Sequence, residues 1–155
     1  MRITTIGLVV LLTFACRGLN AQGIRTENGK YFDLNHQFFQ GLYTEYYDNG
    51  NKKLEMVLVN GLQDSITTLY FEDGHTNEVR SYKVGKKDGK WETYNSKGTK
   101  IAEAFYENDI KIGQWLIWDE NGVLRYEMHY SHGKKTGIWK QFDENGQMVA
   151  ERKFD

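Results

Sequence analysis

Apolar and polar side chains alternate with a period of two along several short stretches of this chain. The clearest are Leu54, Met56 and Leu58; Ala102, Ala104 and Tyr106; and Tyr126, Met128 and Tyr130. Such alternation predicts half-buried β-strands whose apolar residues share one face. The opposite parity carries Glu55, Glu103, Glu127 and Glu151, interrupted at Val79. It predicts a second face on which carboxylates pair with Lys or Arg of an adjacent strand. Acid–base catalysis is the competing reading, but it needs two carboxylates in unequal environments at one place, not one in every repeat.

Glycine punctuates these strands with a period of 24 residues. Gly50, Gly74, Gly98, Gly122 and Gly146 hold one phase. Gly41, Gly89, Gly113 and Gly137 hold a second, with Ser65 standing in once, and Gly61, Gly85 and Gly133 a third, with Asp109 standing in. A strict period of this length predicts a repeat array, with units 41–64, 65–88, 89–112, 113–136 and a truncated 137–155. Each unit reads as a hairpin plus the turn to the next. In the third, a first strand runs from Gly89 to Tyr94, a turn follows at Asn95-Ser96-Lys97-Gly98, and a second strand runs from Lys100 to Tyr106. The expected fold is therefore all-β: an elongated antiparallel β-ribbon of stacked hairpins. The first glycine phase supplies its structural turns, because Asp, Asn or Glu precedes most of these glycines and glycine enters the left-handed region cheaply.

Aromatic residues recur at the same period and form columns: Tyr43, Trp91, Trp115 and Trp139; Tyr46, Tyr70, Tyr94, Trp118 and Phe142; Leu58, Tyr82, Tyr106, Tyr130 and Phe154. Equivalent side chains of successive hairpins should lie roughly 10 Å apart, with the intervening strand filling the gap. The acidic residues Asp48, Glu72, Asp73, Asp119, Glu120, Asp143 and Glu144 fall at one set of turns, and Lys87, Lys111 and Lys135 follow the other. The pattern predicts acidic tips along one edge of the ribbon and a lysine ridge along the other. Candidate binding residues are thus Lys87, Lys111 and Lys135 for an anionic partner such as lipid headgroups or an acidic protein, and Trp91, Trp115, Trp118 and Trp139 for a glycan or peptide.

Composition narrows the function classes. With 39% hydrophobic residues, 14% aromatics, 16 glycines and no proline, the 155-residue chain suits long β-ladders. Residues 1–21 differ from the rest: Arg2 precedes an apolar run from Ile3 to Ala15, and Ala21 offers a cleavage site before Gln22. They read as a secretory signal peptide, which places the protein in the periplasm, the cell envelope or outside the cell. Lipid anchoring at Cys16 is the less favoured export route, since Phe14 departs from a lipobox. Cleavage after Ala21 leaves 18 basic against 21 acidic residues and no cysteine, so disulfides and thiolate metal sites drop out. The mild acidity does not suit a nucleic-acid partner. No cofactor, metal or catalytic residue is expected. His36, His75, His129 and His132 occupy unrelated phases, no serine sits in a nucleophile-elbow context, and the acidic turns lack the ligand spacing of an EF-hand.

The succession of glycine, Trp-x-x-Tyr, turn glycine and Glu-x-x-Tyr, seen at Trp91 to Tyr94, Gly98, Glu103 and Tyr106 and again at Trp115 to Trp118, Gly122, Glu127 and Tyr130, resembles the bacterial MORN-repeat variant family. The resemblance runs from about Gly41 to the C-terminus and weakens at Ser65, Thr67 and Val79. It implies an extended β-ribbon serving protein or membrane attachment, and it extends to YwqK-type antitoxin-like proteins that neutralise a partner. Residues 22–40 read as an N-terminal cap or half repeat, with Asn28-Gly29-Lys30 before Tyr31-Phe32. The terminal strand Gln147 to Phe154 offers an unpaired edge for homodimerisation or strand addition, unless Arg152 and Lys153 blunt it. The expected function is an exported, non-enzymatic protein-binding scaffold, with membrane-surface or glycan binding as alternatives. A specific site is expected where the pattern breaks, at Ser65, Thr67, Val79 or Asp109.

Overall fold

The computed structural model describes residues 23–155. The expected signal peptide and Cys16 lie outside them. A short hairpin, β1 (Arg25–Glu27) and β2 (Lys30–Phe32), precedes an antiparallel meander of β3 (Gly41–Tyr46), β4 (Lys52–Val59), β5 (Leu62–Tyr70), β6 (Thr76–Lys83), β7 (Lys86–Tyr94), β8 (Lys100–Glu107), β9 (Ile110–Trp118), β10 (Leu124–Ser131), β11 (Lys134–Lys135), β12 (Gly137–Phe142) and β13 (Met148–Phe154). Strands β3 to β10, then β12 and β13, pair in sequence order as one sheet, and β11 continues the pairing along β10. The all-β ribbon of stacked hairpins is therefore the observed fold.

Two kinds of turn alternate along the edges. At one edge the chain reverses through the predicted turn glycines: Gly98 donates to Asn95 O, and the Asn95 side chain accepts from the backbones of Lys97 and Thr99. Turn residues also tie one hairpin to the next. Asn95 Nδ2 donates to Glu120 O, as Asn49 Nδ2 does to Glu72 O. At the other edge, two-residue loops at Asn60-Gly61, Val84-Gly85, Asn108-Asp109 and His132-Gly133 have positive φ at both positions, the type I′ geometry that matches strand twist.

Val84 is the outlier among them, a β-branched residue at φ 50° where its counterparts are Asn or His. Its side chain is exposed, so only the backbone strain is at stake. Val84→Asn should raise stability by about 1 kcal/mol, measured by urea unfolding; no gain would show that the turn carries no such strain.

The second glycine phase differs from expectation. The strand expected to start at Gly89 starts at Lys86, and Gly89 sits inside it with φ 100°. The tight turn at Val84-Gly85 lets pairing begin at once, and the surplus residues are absorbed in a bulge, where the register passes from Arg80↔Trp91 to Tyr82↔Lys87. Ser65 keeps the same left-handed backbone, φ 67°, in the corresponding bulge of β5. Asp109 does so in its turn, with φ 69°, and its carboxylate accepts from Lys87 N. Both stand-ins preserve the backbone of the glycines they replace.

The register puts Tyr43, Met56, Thr67, Arg80, Trp91 and Ala104 in one cross-strand row and pairs Trp115 with Met128 beyond the β8–β9 bulge. Among the described residues, only the start of this face is covered. There Tyr43, Met56 and Leu58 are buried beneath Ile24, Tyr31 and Phe39 of the N-terminal segment. That segment is held by Tyr31 N to Gly61 O at 2.8 Å and Gly61 N to Phe39 O at 3.0 Å. Residues 23–40 contain a hairpin, β1 and β2, that packs over the start of this face. Thr67 occupies the phase of the tryptophans, is 2% exposed, and leaves its hydroxyl without a partner. Thr67→Val should therefore stabilise the fold by about 1 kcal/mol, seen as a raised unfolding midpoint; destabilisation would mean that the hydroxyl is satisfied in solution.

Candidate functional site

From β6 onward no described residue covers the same face. Two of the aromatic columns interleave there, because Trp91 and Trp115 each fall on the strand between two tyrosines and Trp139 on the strand between Tyr130 and Phe154. Tyr82, Trp91, Tyr106, Trp115, Tyr130, Trp139 and Phe154 form one continuous ladder with ring centroids 4.9–5.5 Å apart. The rings are tilted rather than parallel, the arrangement favoured by opposed quadrupoles. Each ladder indole is also anchored: Trp91 Nε1 donates to Ser81 O, Trp115 Nε1 to Phe105 O and Ile112 O, and Trp139 Nε1 to His129 O. Burial in the ladder pushes the phenols of Tyr82, Tyr106 and Tyr130 up from their ordinary pKa.

The lysine ridge expected at an edge lies instead over this ladder. Tyr82, Tyr106 and Tyr130 pair across strands with Lys87, Lys111 and Lys135, which turns each lysine toward the rings. Lys87 Nζ is 4.6 Å from the Trp91 centroid and 5.0 Å from Tyr106. Lys111 is 4.5 Å from Trp115 and 5.1 Å from Tyr130, and Lys135 is 4.4 Å from Trp139 and 5.2 Å from Phe154. Lysine and tryptophan, two separate candidates in the sequence, make one composite surface. Contacts of this kind contribute about 0.5–1 kcal/mol each when exposed. Among the described residues, none of the three ammonium groups forms an ion pair with a carboxylate, whereas Lys52, Lys90, Lys100 and Lys140 all do.

Trp118 does not join them. Three positions from Trp115, it projects from the other face, where Lys100 Nζ lies 5.3 Å from its ring. That face carries the glutamate row, and its pairing differs from expectation: Glu127 meets Lys140 of an adjacent strand, Glu55 and Glu103 meet Lys52 and Lys100 of their own strands, and among the described residues Glu151 has no ion pair. Lys100 bridges Glu92 at 3.3 Å and Glu103 at 2.6 Å, Lys90 meets Glu92 at 3.0 Å, and Glu127 holds Lys140 at 3.3 Å, Gln114 and His129. Glu92 and the lysines that serve it were not singled out in the sequence, although the two-residue offset Lys90-x-Glu92 is a usable signal.

Burial alone would raise Glu92, but hydrogen bonds from Lys90 and Lys100 outweigh it and hold the carboxyl below its usual range. Glu127 is likewise lowered, its burial outweighed by Lys140, His129 and Gln114. A depressed folded-state pKa contributes stability that is present above the unfolded carboxylate value and lost as pH falls through the folded one. Stability should thus hold near neutrality and decline below about pH 4, with a shallower decline for Glu92→Gln; unchanged acid sensitivity would remove Glu92 as a cause.

At the far end, a shallow depression of about 260 Å³ adjoins Trp139, Met128, Tyr126, Ala150, Arg152 and Phe154. The Arg152 guanidinium lies 5.0 Å from the Phe154 ring, folded over the last rung. Among the described residues no group of three or more His, Cys, Asp or Glu side chains is placed to hold a metal ion.

A family model described as MORN repeat variant matches residues 39–60, 87–108, 111–132 and 135–155, more than half of the chain. The matches skip the unit in which Ser65, Thr67 and Val79 depart from the pattern. No curated protein matches the chain.

Proposed function

The chain belongs to the MORN repeat variant family, and on that premise we propose that it is an exported, non-enzymatic scaffold that binds another protein through its aromatic face. One observation carries the reading: the ladder and its three lysines form a continuous surface that no other described residue covers, whereas the N-terminal segment packs on the first strands of the same face. Contiguous apolar surface of this kind, rimmed by charge, is what marks an interaction site on a soluble protein. Glycan stacking is the weaker reading, because the π faces are already taken by neighbouring rings and by lysine. Export rests on the leader-like residues 1–21.

Tyr126 on the aromatic face and Ile138 on the glutamate face are equally exposed, each at 42%. With the mature chain as bait on envelope extracts, Tyr126→Arg should abolish capture of the partner and Ile138→Arg should not. Equal capture by both variants sinks the reading.

A further inference from the structure

We propose that the open aromatic face docks an acidic amphipathic helix of the partner protein, with carboxylates at intervals of seven residues meeting Lys87, Lys111 and Lys135. The inference rests on the scaffold reading and gives it a chemistry.

Charge selects the sign. From β7 to β13 the cross-strand rows of this face comprise Trp, Thr, Ala, Ile, Tyr, Met, Gln and Arg152, with the three lysines beside them and no carboxylate. The acidic residues of the same strands are Asp88, Glu92, Glu103, Glu107, Glu127 and Glu151: Glu92, Glu103, Glu127 and Glu151 lie on the opposite face, Glu107 ends β8, and the Asp88 carboxylate accepts from Asn108 N at the turn. On β6 the same face as the ladder also carries Glu78, neutralised by Arg80 at 2.7 Å; from β7 onward the cross-strand rows are apolar with a positive lysine row beside them.

The covered end of the same face shows that the lysines belong to the uncovered part. One and two periods before Lys87, the lysine phase is occupied by Gln63 and Phe39. Gln63 Nε2 donates to the Met56 sulfur at 3.4 Å, and Phe39 packs edge-on against Tyr43 at 6.0 Å. Where the chain's own hairpin sits on the face, no ammonium has to be desolvated. A lysine beneath an apolar cover would cost several kcal/mol unless that cover brought an opposite charge. Lysine at three successive open repeats marks a face that meets solvent or anions.

Geometry then selects the conformation. A segment lying on a sheet face finds no backbone partners there, so its own N–H and C=O groups must be satisfied internally. The capping hairpin meets this demand by pairing β1 with β2. Lysines of successive repeats stand two strands apart, roughly 10 Å. Seven helical residues rise about 10.5 Å, so carboxylates at i, i+7 and i+14 coincide with the three ammonium groups. Apolar residues one turn away, at i+3 and i+4, then fall on Ala102, Ala104, Ile117, Tyr126 and Met128.

The test is a tryptophan-fluorescence titration of the mature chain with a synthetic helical peptide of about 18 residues, bearing Glu at the three heptad positions and Leu one turn on. A second peptide carries Lys in place of each Glu. The acidic peptide should bind at least about tenfold more tightly than the basic one. The triple variant Lys87→Gln, Lys111→Gln, Lys135→Gln should lose that preference while keeping its circular dichroism, and Lys97→Gln at an exposed turn should retain it. Equal binding of the two peptides, or none, overturns the inference. So does lysine-dependent binding to phosphatidylglycerol vesicles without peptide binding, which would assign the face to a membrane. If the peptide fails but envelope capture still depends on Tyr126, the scaffold reading survives and the acidic helix does not; failure of both removes both.

Discussion

Replacing Trp115 by alanine should destabilise the array by about 3 kcal/mol, the lower end of the range for deleting a large aromatic side chain, because the ring is half-buried rather than enclosed. Three interactions vanish together: the stacks on Tyr106 and Tyr130 at 5.2 and 5.0 Å, the indole hydrogen bonds to Phe105 O and Ile112 O, and the seat of Lys111. The ribbon is quasi-one-dimensional, so each hairpin depends on its neighbours alone, and no second layer spreads the loss. Unfolding of Trp115→Ala should therefore separate into two transitions, the hairpins after the break melting before the capped ones. Trp118→Ala, which removes a ring outside the ladder, should cost about 1 kcal/mol and leave unfolding in one step. Urea titrations followed by circular dichroism and fluorescence read both quantities. Equal costs for the two variants would mean that the ladder adds nothing beyond buried area.

The repeat length, the turn glycines and the apolar parity were legible in the sequence because each is a local demand, met within one hairpin. What escaped it depends on pairing between strands. Lys87 follows a turn in every sequence-level description, and only the register Tyr82↔Lys87, displaced by the bulge at Gly89, turns its ammonium onto Trp91. Trp118 already stands in a different aromatic column from Trp115, and an odd offset reverses the face in a regular strand, so its place off the ladder was legible. The pattern breaks carried another message than expected. Ser65 and Asp109 hold the backbone of the missing glycines. Thr67 reads as a weakening of the repeat, and Gln63 drew no notice in the sequence, yet both stand where the N-terminal hairpin covers the face, and a small or uncharged side chain is what an internal cover requires.

The capping contact itself should fail on a single methyl group. Gly61 has φ 71°, and a Cβ there would meet Tyr31 O at 2.6 Å and the Phe38 ring at 2.9 Å, both atoms belonging to the cap. Gly133 occupies the same turn position at φ 80°, but its nearest neighbour is the Ile110 side chain at 3.5 Å. The two alanine variants therefore share the left-handed backbone penalty of about 1–2 kcal/mol and differ only in the clash. Gly61→Ala should lose at least about 2 kcal/mol more than Gly133→Ala and should free residues 24–39 from the sheet. Tyr43 reports this directly. Burial beneath the cap, then the hydrogen bond to Glu45 at 3.1 Å and the charges of Glu45 and Tyr31, push its phenol up to about 12. Undocking removes the first and largest of these causes, so one tyrosine in Gly61→Ala should titrate nearer the ordinary value of about 10. Ultraviolet difference titration of the two variants separates the possibilities: an unshifted Tyr43 in Gly61→Ala would mean that the cap has adapted to the methyl group and that its hold on the face does not run through Gly61.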